Sequence, residues 1–218
     1  MNGKFFINCQ MLLIFFIPVT MFGQDKAVYN FFNSDSVPAL YLGIDFTKAK
    51  LINDEKSDPF IIQEQQFRGI NMLMIDEPKK YDIQRAYRRR FWQISLNEVN
   101  ARNKEANPDS LKSVNDSDLT RLNKTDIENL ISGFDFGSHT GYGVLLVVEG
   151  MDKETKWMTI WYTLIDMSSK KTLLTRRVTA KVGSGFGFRN YWATAIKNSI
   201  VHVKNVVYDQ WENRSDLK

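Results

Sequence analysis

Cysteine and histidine are almost absent from this sequence. The chain of 218 residues contains one cysteine, Cys9, and two histidines, His139 and His202. Cys9 falls in an amino-terminal segment that we predict to be removed, so the mature chain has no disulfide framework and no thiol nucleophile. His202 has no histidine or cysteine at the spacing of a metal-ligand pair. We therefore predict no metal site and no cofactor, and a fold stabilised by its hydrophobic core alone.

Recognisable catalytic patterns are also missing. His139 lies near Asp135 and Ser138, but these residues share one glycine-rich turn, whereas the members of a catalytic triad normally meet from separate elements. We predict no catalytic residue, because aspartates that end apolar runs are usually turn formers and nothing shows that they converge. The alternative is a secreted carboxylate-dependent hydrolase. Its catalytic acids would come from Asp45, Asp76, Asp135, Asp166 and Glu149.

Residues 1–24 have the composition of a signal peptide. Lys4 gives a basic start, "MLLIFFIPVTMF" at 11–22 is continuously apolar, and "GQDK" follows. The apolar run is shorter than the ~20 residues that a membrane-spanning helix needs. We predict cleavage near Gly23 or Gln24, and a secreted or periplasmic mature protein with no transmembrane span. Without Lys4 the net charge of +4 falls to +3, which is far from a nucleic-acid signature.

The remainder, residues 25–218, reads as a single α+β domain. A strand is predicted over 39–46, and Asp58 followed by Pro59 starts a helix over about 59–74. The polar segment 103–125 is predicted to be a surface excursion. "TDIENLISG" then has a cap at Thr125, an acid three residues later and a terminating glycine, which indicates a short helix.

The last third of the chain alternates like strands and then becomes helical. Three β-rich runs at 142–150, 156–167 and 171–182 are joined by loops of hairpin length. An apolar stripe repeating every three or four residues predicts a closing helix of some six turns. The expected fold is an antiparallel β-meander sheet with one further strand, covered on one face by helices that include this long amphipathic one. The stripe comprises Trp192, Ile196, Ile200, Val203, Val207 and Trp211.

The order of these elements resembles a group of small bacterial envelope domains. "LYLGIDF", a helix, "GVLLVVEG", "WMTIWYTLIDMSSKKTLLTRR" and a closing helix are similar to the domain of the curli-secretion lipoprotein and the amino-terminal domain of TolB. In those domains a strand ending in Asp enters the next strand through a polar turn, as Asp166 to Lys171 does here. The resemblance covers about residues 38–211 and implies a binding or assembly role. The helix at 59–74 and the excursion at 103–125 depart from it, so no partner-binding edge is transferred.

The glycine-rich stretch "VGSGFGFRNYW" at 182–192 raises the question of a phosphate site. Its glycines have the spacing GxGxG, whereas a dinucleotide fingerprint is GxGxxG, and no Lys-Ser or Lys-Thr follows as in a P-loop. We predict that the glycines let the chain leave the sheet, so that neighbouring aromatic residues pack back onto it. The candidate binding residues of this stretch are Phe186, Phe188 and Arg189, of which Arg189 favours the anion-binding alternative.

The basic run "KKYDIQRAYRRR" at 79–90 is the second candidate surface. Arg85, Arg88 and Arg89 fall on adjacent positions of a predicted helix, with aromatic residues between them, as in readers of polyanions. An exported protein rarely meets nucleic acid, so we predict a solvated face, with lipid headgroups or acidic glycans as the alternative. The sequence therefore predicts an exported, non-catalytic binding or assembly module whose partner is an envelope protein or a polyanionic surface component.

Overall fold

A computed structural model of the chain describes residues 20–34 and 37–213. Most of the predicted signal peptide, residues 1–19, lies outside the described residues. The α-helices are α1 Thr20–Asn33, α2 Pro59–Ile61, α3 Phe67–Asp76, α4 Ile83–Ala86, α5 Asn97–Lys104, α6 Lys124–Ser132, α7 Gly187–His202 and α8 Tyr208–Glu212. The strands are β1 Ala39–Asp45, β2 Lys50–Ile52, β3 Trp92–Ile94, β4 Lys112–Ser113, β5 Tyr142–Asp152, β6 Trp157–Asp166 and β7 Lys171–Lys181.

Local capping explains where several helices begin. Asp58 accepts hydrogen bonds from the backbone N–H groups of Phe60 and Ile61, and Pro59 is the first residue of α2, as predicted. A short π-helical segment, Ile62–Gln66, joins α2 to α3. The cap of α6 differs from the prediction, because Asn123 and Asp126 form a reciprocal capping box two residues before the expected one at Thr125.

All seven strands of the described chain form one mixed sheet. β5, β6 and β7 pair antiparallel, but β1 pairs parallel with both β3 and β5, and β2 pairs parallel with both β4 and β5. The predicted antiparallel sheet with one further strand is therefore wrong, although the α+β class is correct. Parallel pairing joins strands that are far apart in the chain, so the short-range patterns that reveal hairpins do not reveal it.

Helical structure covers both faces of this sheet. The adjacent residues Trp161 and Tyr162 of β6 point to opposite faces. The Tyr162 hydroxyl lies 2.6 Å from the Ser199 hydroxyl of α7. Trp161 donates to Glu149, which also accepts from the backbone N–H of Leu122 just before α6. The prediction that helices cover one face is therefore wrong, because the segment before and including α6 covers the second.

Two buried asparagines replace a neighbouring strand where β1 ends. Asn71 of α3 accepts from the backbone N–H of Ile44 at 2.7 Å and donates to the Ile44 carbonyl at 2.9 Å. Asn103 of α5 accepts from the Phe46 N–H at 2.7 Å and donates to the same Ile44 carbonyl at 2.9 Å. The two amides therefore satisfy backbone groups that no adjacent strand reaches.

The closing helix runs from α7 through a short π-helical segment, Val203–Val207, into α8. Every residue of the predicted apolar stripe is buried, including Trp192 and Ile200. Among the residues that the structure describes, no helix combines the length and hydropathy required to cross a membrane.

Candidate functional site

Four strands end at one side of the molecule, which we call the loop end. β2 and β4 are parallel to each other and β2 is parallel to β5. β7 runs in the direction of β5, because both are antiparallel to β6. The loops that follow these strands therefore gather at one edge. In sheets with parallel strands, ligands bind outside the carboxyl ends of the strands, so this edge is the first place to examine.

The loop end contains an open cleft of about 950 Å³. Its walls come from residues 53–57 after β2, residues 112–114 at the end of β4, and Lys153 and Glu154 in the β5–β6 turn. Its walls are also held in place. Asp54 accepts from the backbone N–H groups of Lys56 and Ser57, and Lys112 donates to the Glu55 carbonyl at 2.9 Å. The cleft is thus a formed surface with charged walls.

The glycine loop between β7 and α7 lies at this same end. The backbone N–H of Gly183 donates to the Thr194 hydroxyl at 2.7 Å, which ties the loop to α7. A Cβ added to Gly185 would lie 2.5 Å from the backbone oxygen of Asn190, and Gly187 has φ +73°. Gly185 is therefore required by close backbone approach and Gly187 by its conformation, which supports the predicted geometric role. The prediction that Phe186 packs back onto the sheet is wrong, because its side chain is 95% exposed.

Lys153 connects the cleft to the first turns of α7. Its ammonium lies 3.8 Å from the centroid of the Tyr191 ring, at cation–π distance. Burial raises the pKa of Tyr191, and the negative charges of Asp54 and Asp152 raise it further. The Tyr191 hydroxyl therefore stays neutral, and the ring serves as a platform for the ammonium group.

Two large apolar side chains project into solvent at the loop end. Phe186 is 95% exposed and Val114 is 88% exposed, the two highest values among the exposed large apolar residues of the described chain. Phe188 is partly buried against Trp192, with ring centroids 6.3 Å apart. Arg189 is exposed and passes beside Gly69, where an added Cβ would lie 3.0 Å from the Arg189 Cδ. Phe186 is therefore the most accessible of the predicted binding residues.

The three arginines of the basic run do not form one helix face. α4 ends at Ala86, and Arg88 has φ 48°. Arg89 is buried, and its guanidinium donates to the carbonyls of Phe31, Ser34 and Val37. These contacts fix the end of α1 and the entry to β1. Sequence spacing could not show them, since the acceptors are backbone groups more than fifty positions away.

Arg88 and Arg85 have different surroundings. Arg88 forms ion pairs with Asp209 and with Glu212, the second at 3.1 Å, and lies 4.3 Å from the Tyr208 ring centroid. Arg88 thus fastens the segment after α4 to α8. Arg85 is exposed in the last turn of α4.

Four of the five acids considered for catalysis have structural partners, whereas Asp76 is exposed at the end of α3. Asp45 is buried and accepts from the Arg102 Nε at 2.6 Å and from the Thr47 N–H at 2.7 Å. Glu149 is buried and accepts from Trp161 Nε1 at 2.8 Å and from Arg177 Nε at 3.0 Å. Burial raises the pKa of Glu149, and the Leu122 N–H, the Trp161 N–H and Arg177 offset only part of that rise. Both carboxylates are enclosed by donors and thus have the environment of structural acids.

The turn acids and the histidine complete this picture. Asp166 accepts from the Ser168 N–H at 3.0 Å, and Asp135 accepts from the Gly137 N–H at 2.9 Å, so both shape turns. His139 pairs with Glu98 of α5 at 3.3 Å, a partner from a separate element that its sequence neighbours do not reveal. Within the described ranges, no group of three histidine, cysteine or acidic residues is arranged to hold a metal ion.

No protein-family model matches this chain, and no curated protein matches it. The resemblance to the envelope domains stays a prediction. The turn on which it depends runs from Asp166, the last residue of β6, to Lys171, the first residue of β7.

Proposed function

We propose that this protein is an exported, non-catalytic module of the cell envelope that docks a protein partner on its loop end. The observation that carries the proposal is the pair of nearly fully exposed apolar side chains, Phe186 and Val114, at one end of the sheet. Lys153 lines the cleft together with Val114, and its ammonium reaches the ring of Tyr191 in α7, the helix that follows the loop of Phe186.

This combination of exposed apolar side chains and nearby charged residues is typical of a protein–protein interface. Apolar side chains form the centre of such an interface, and charged residues form its solvated rim. Burying a Phe side chain yields about 1.5–3 kcal/mol, which a solvent-exposed Phe186 forgoes in the free protein. Lys56, Lys112 and Glu154 line the cleft beside Val114. A partner that covers Phe186 and Val114 therefore gains apolar contact while its polar groups meet a charged rim.

The ion pairs of the two buried acids, Asp45 and Glu149, with arginines support a non-catalytic role. A general acid or base must reach the proton that it transfers. Asp45 and Glu149 are both fully buried, and each already accepts from an arginine. The cleft at the loop end contains Asp54, which is committed to its own turn. Binding at this end therefore requires none of these carboxylates as a catalyst.

Site-specific photo-crosslinking tests the proposal. A photoreactive residue is placed at position 186, at position 114 or, as the control, at position 91. Phe91 is 49% exposed and immediately precedes β3, so it lies at the opposite end of the parallel strands. We expect positions 186 and 114 to capture the same envelope protein and position 91 to capture none. Equal capture from position 91, or no capture from position 186, would refute the proposal.

Substitution then separates a protein partner from a polyanion. Phe186→Ser should weaken binding of the captured partner at least tenfold, about 1.4 kcal/mol, with an unchanged melting temperature, whereas Phe91→Ser should leave binding intact. Binding is also measured on anionic lipid vesicles and on an acidic glycan. If wild type binds these and Phe186→Ser binds them equally well, the partner is a polyanionic surface component and the protein-docking proposal is wrong.

Export is tested independently of binding. If residues 1–24 are removed, mass spectrometry of the native protein should find an amino terminus near Gln24 or Asp25. An intact Met1 in the mature pool would contradict the export part of the proposal and leave the docking part standing.

A further inference from the structure

A second concave surface, the α5–α6 groove, lies apart from the loop end. It consists of two adjoining cavities of about 520 Å³ and about 290 Å³. The cavities share Arg102 of α5 and Gly133 at the end of α6 as lining residues. Volumes of this order are typical of sites for small molecules.

The larger cavity is the basic half of the groove. Its charged side chains are Lys48, Arg102, Arg121 and Asp126. Asp126 is occupied as an acceptor for the backbone N–H of Asn123 at 2.8 Å. Arg121 donates through one guanidinium nitrogen to the Lys48 carbonyl and lies 3.9 Å from Asp118 through Nε, a long separation for an ion pair. Among the described residues, the Lys48 ammonium is in no ion pair. This half therefore presents donors with remaining capacity for an anion.

The smaller cavity is the acidic half. Its lining includes Glu98, Glu105 and Asp135, with Arg102 as its basic residue. Arg102 contributes little free charge, because its Nε is 2.6 Å from the buried carboxylate of Asp45. Glu98 is partly neutralised by His139 at 3.3 Å when that ring is protonated. Glu105 is exposed and has no ion pair among the described residues, so this half retains net negative charge.

We infer that the α5–α6 groove binds a small zwitterion with separated charges, namely a short peptide with free termini. The peptide carboxylate lies against Lys48 and Arg121, and its ammonium group lies against Glu105 and Asp135. Leu122 and Leu130, which are 7% and 5% exposed, line the larger cavity and supply a small apolar contact area. An apolar dipeptide matches all three features.

The opposite polarity of the two halves favours a zwitterion over simpler ligands. A dianion such as phosphate would meet favourable charge in the basic half only, and a diamine in the acidic half only. A neutral apolar molecule would leave the charged groups of both halves without partners, which costs affinity. A zwitterion pairs with both halves at once. The fixed Arg102–Asp45 pair at the boundary keeps the two charges from cancelling each other.

Calorimetric titration of the purified protein with leucyl-leucine tests this inference. We expect saturable binding that falls about tenfold when either terminus is blocked, as N-acetyl-leucyl-leucine or as leucyl-leucinamide, because each block removes one charge-assisted contact. Lys48→Gln should reduce binding of the free dipeptide and leave binding of the amide unchanged. Glu105→Gln should show the converse, with binding of the acetylated peptide unchanged. Both positions are exposed, so these variants should fold normally.

Lys197 is an exposed residue of α7 outside the groove, so Lys197→Gln is the matched control and should bind leucyl-leucine like wild type. The inference is wrong if the free dipeptide and the two singly blocked dipeptides bind equally, if wild type shows no saturable binding, or if Lys197→Gln loses as much affinity as Lys48→Gln. Phosphate or putrescine binding more tightly than the dipeptide would also overturn it. Because the groove is separate from the loop end, none of these outcomes bears on partner docking there.

Discussion

Asn71 of α3 and Asn103 of α5 should be energetically coupled. When both are replaced by Ala, we expect a loss of unfolding free energy larger than the sum of the losses in the two single variants. Each side chain bonds one backbone N–H that no other group reaches, and both donate to the carbonyl of Ile44. Asn71→Ala leaves the Ile44 N–H unpaired, and Asn103→Ala leaves the Phe46 N–H unpaired. In either single variant the Ile44 carbonyl keeps one donor.

The magnitudes follow from this difference. An unsatisfied buried donor costs about 1–3 kcal/mol, and a lost hydrogen bond costs roughly 1 kcal/mol more. Each single variant should therefore lose about 2–4 kcal/mol of unfolding free energy. The double variant also leaves the Ile44 carbonyl without a donor, which adds about 1–3 kcal/mol beyond the sum of the two single losses.

Urea unfolding followed by tryptophan fluorescence measures these losses. Asn205 is exposed in the π-helical segment of the closing helix and provides the control. The unfolding free energy of Asn205→Ala should stay within about 0.5 kcal/mol of wild type. Strictly additive losses for Asn71 and Asn103 would show that the shared carbonyl is not the point of coupling. Single losses as small as that of the control would refute the account of both amides.

Three further measurements test other parts of the structure. Ile200 is 3% exposed on the buried face of the closing helix, so Ile200→Ala should cost about 2–5 kcal/mol in urea unfolding, and a loss within error would mean that the stripe is not buried. Gly185→Ala places a Cβ against the backbone of Asn190 and should cost about 1 kcal/mol or more, while added phosphate should leave the melting temperature of wild type unchanged; a saturable phosphate shift would contradict the geometric role of the loop. Burial raises the pKa of Glu149, so the stability contributed by its protonated form is fully present below the unfolded pKa of about 4.3 and is lost as pH rises through the folded pKa. Wild type should therefore lose stability relative to Glu149→Gln as pH rises from about 4 to about 7, and a difference that does not change with pH would show that the pKa of Glu149 is not raised.

The sequence predicted those features that depend on residues within a single helix. Asp58 and Pro59 start α2 as predicted, because a cap and a fixed φ act within a few residues. The stripe from Trp192 to Trp211 is buried as predicted, because helical periodicity depends only on spacing.

Long-range pairing was not readable in the same way. The parallel contacts of β1 with β5 join Ala39 to Tyr142 and Asp45 to Val147, and no turn residue records such a pairing. Of the two exposed apolar side chains of the candidate site, the sequence analysis identified one and missed the other. Phe186 was identified from the glycine loop that contains it, whereas Val114 was missed because the three-residue neighbourhood around it gives no signal of an adjacent cleft.

The contacts of α1 have a consequence for the order in which the chain assembles. Arg89 holds the carbonyl groups at the end of this helix. The Tyr142 hydroxyl donates to the Ala27 carbonyl at 2.8 Å, and Phe32 packs on Tyr208 with ring centroids 5.2 Å apart. All of these partners are synthesised long after α1, so the helix cannot dock while the chain is still emerging in order from its amino terminus. The helix nearest the amino terminus among the described residues is thus among the last to be fastened, because its packing is complete only when the closing helix is present.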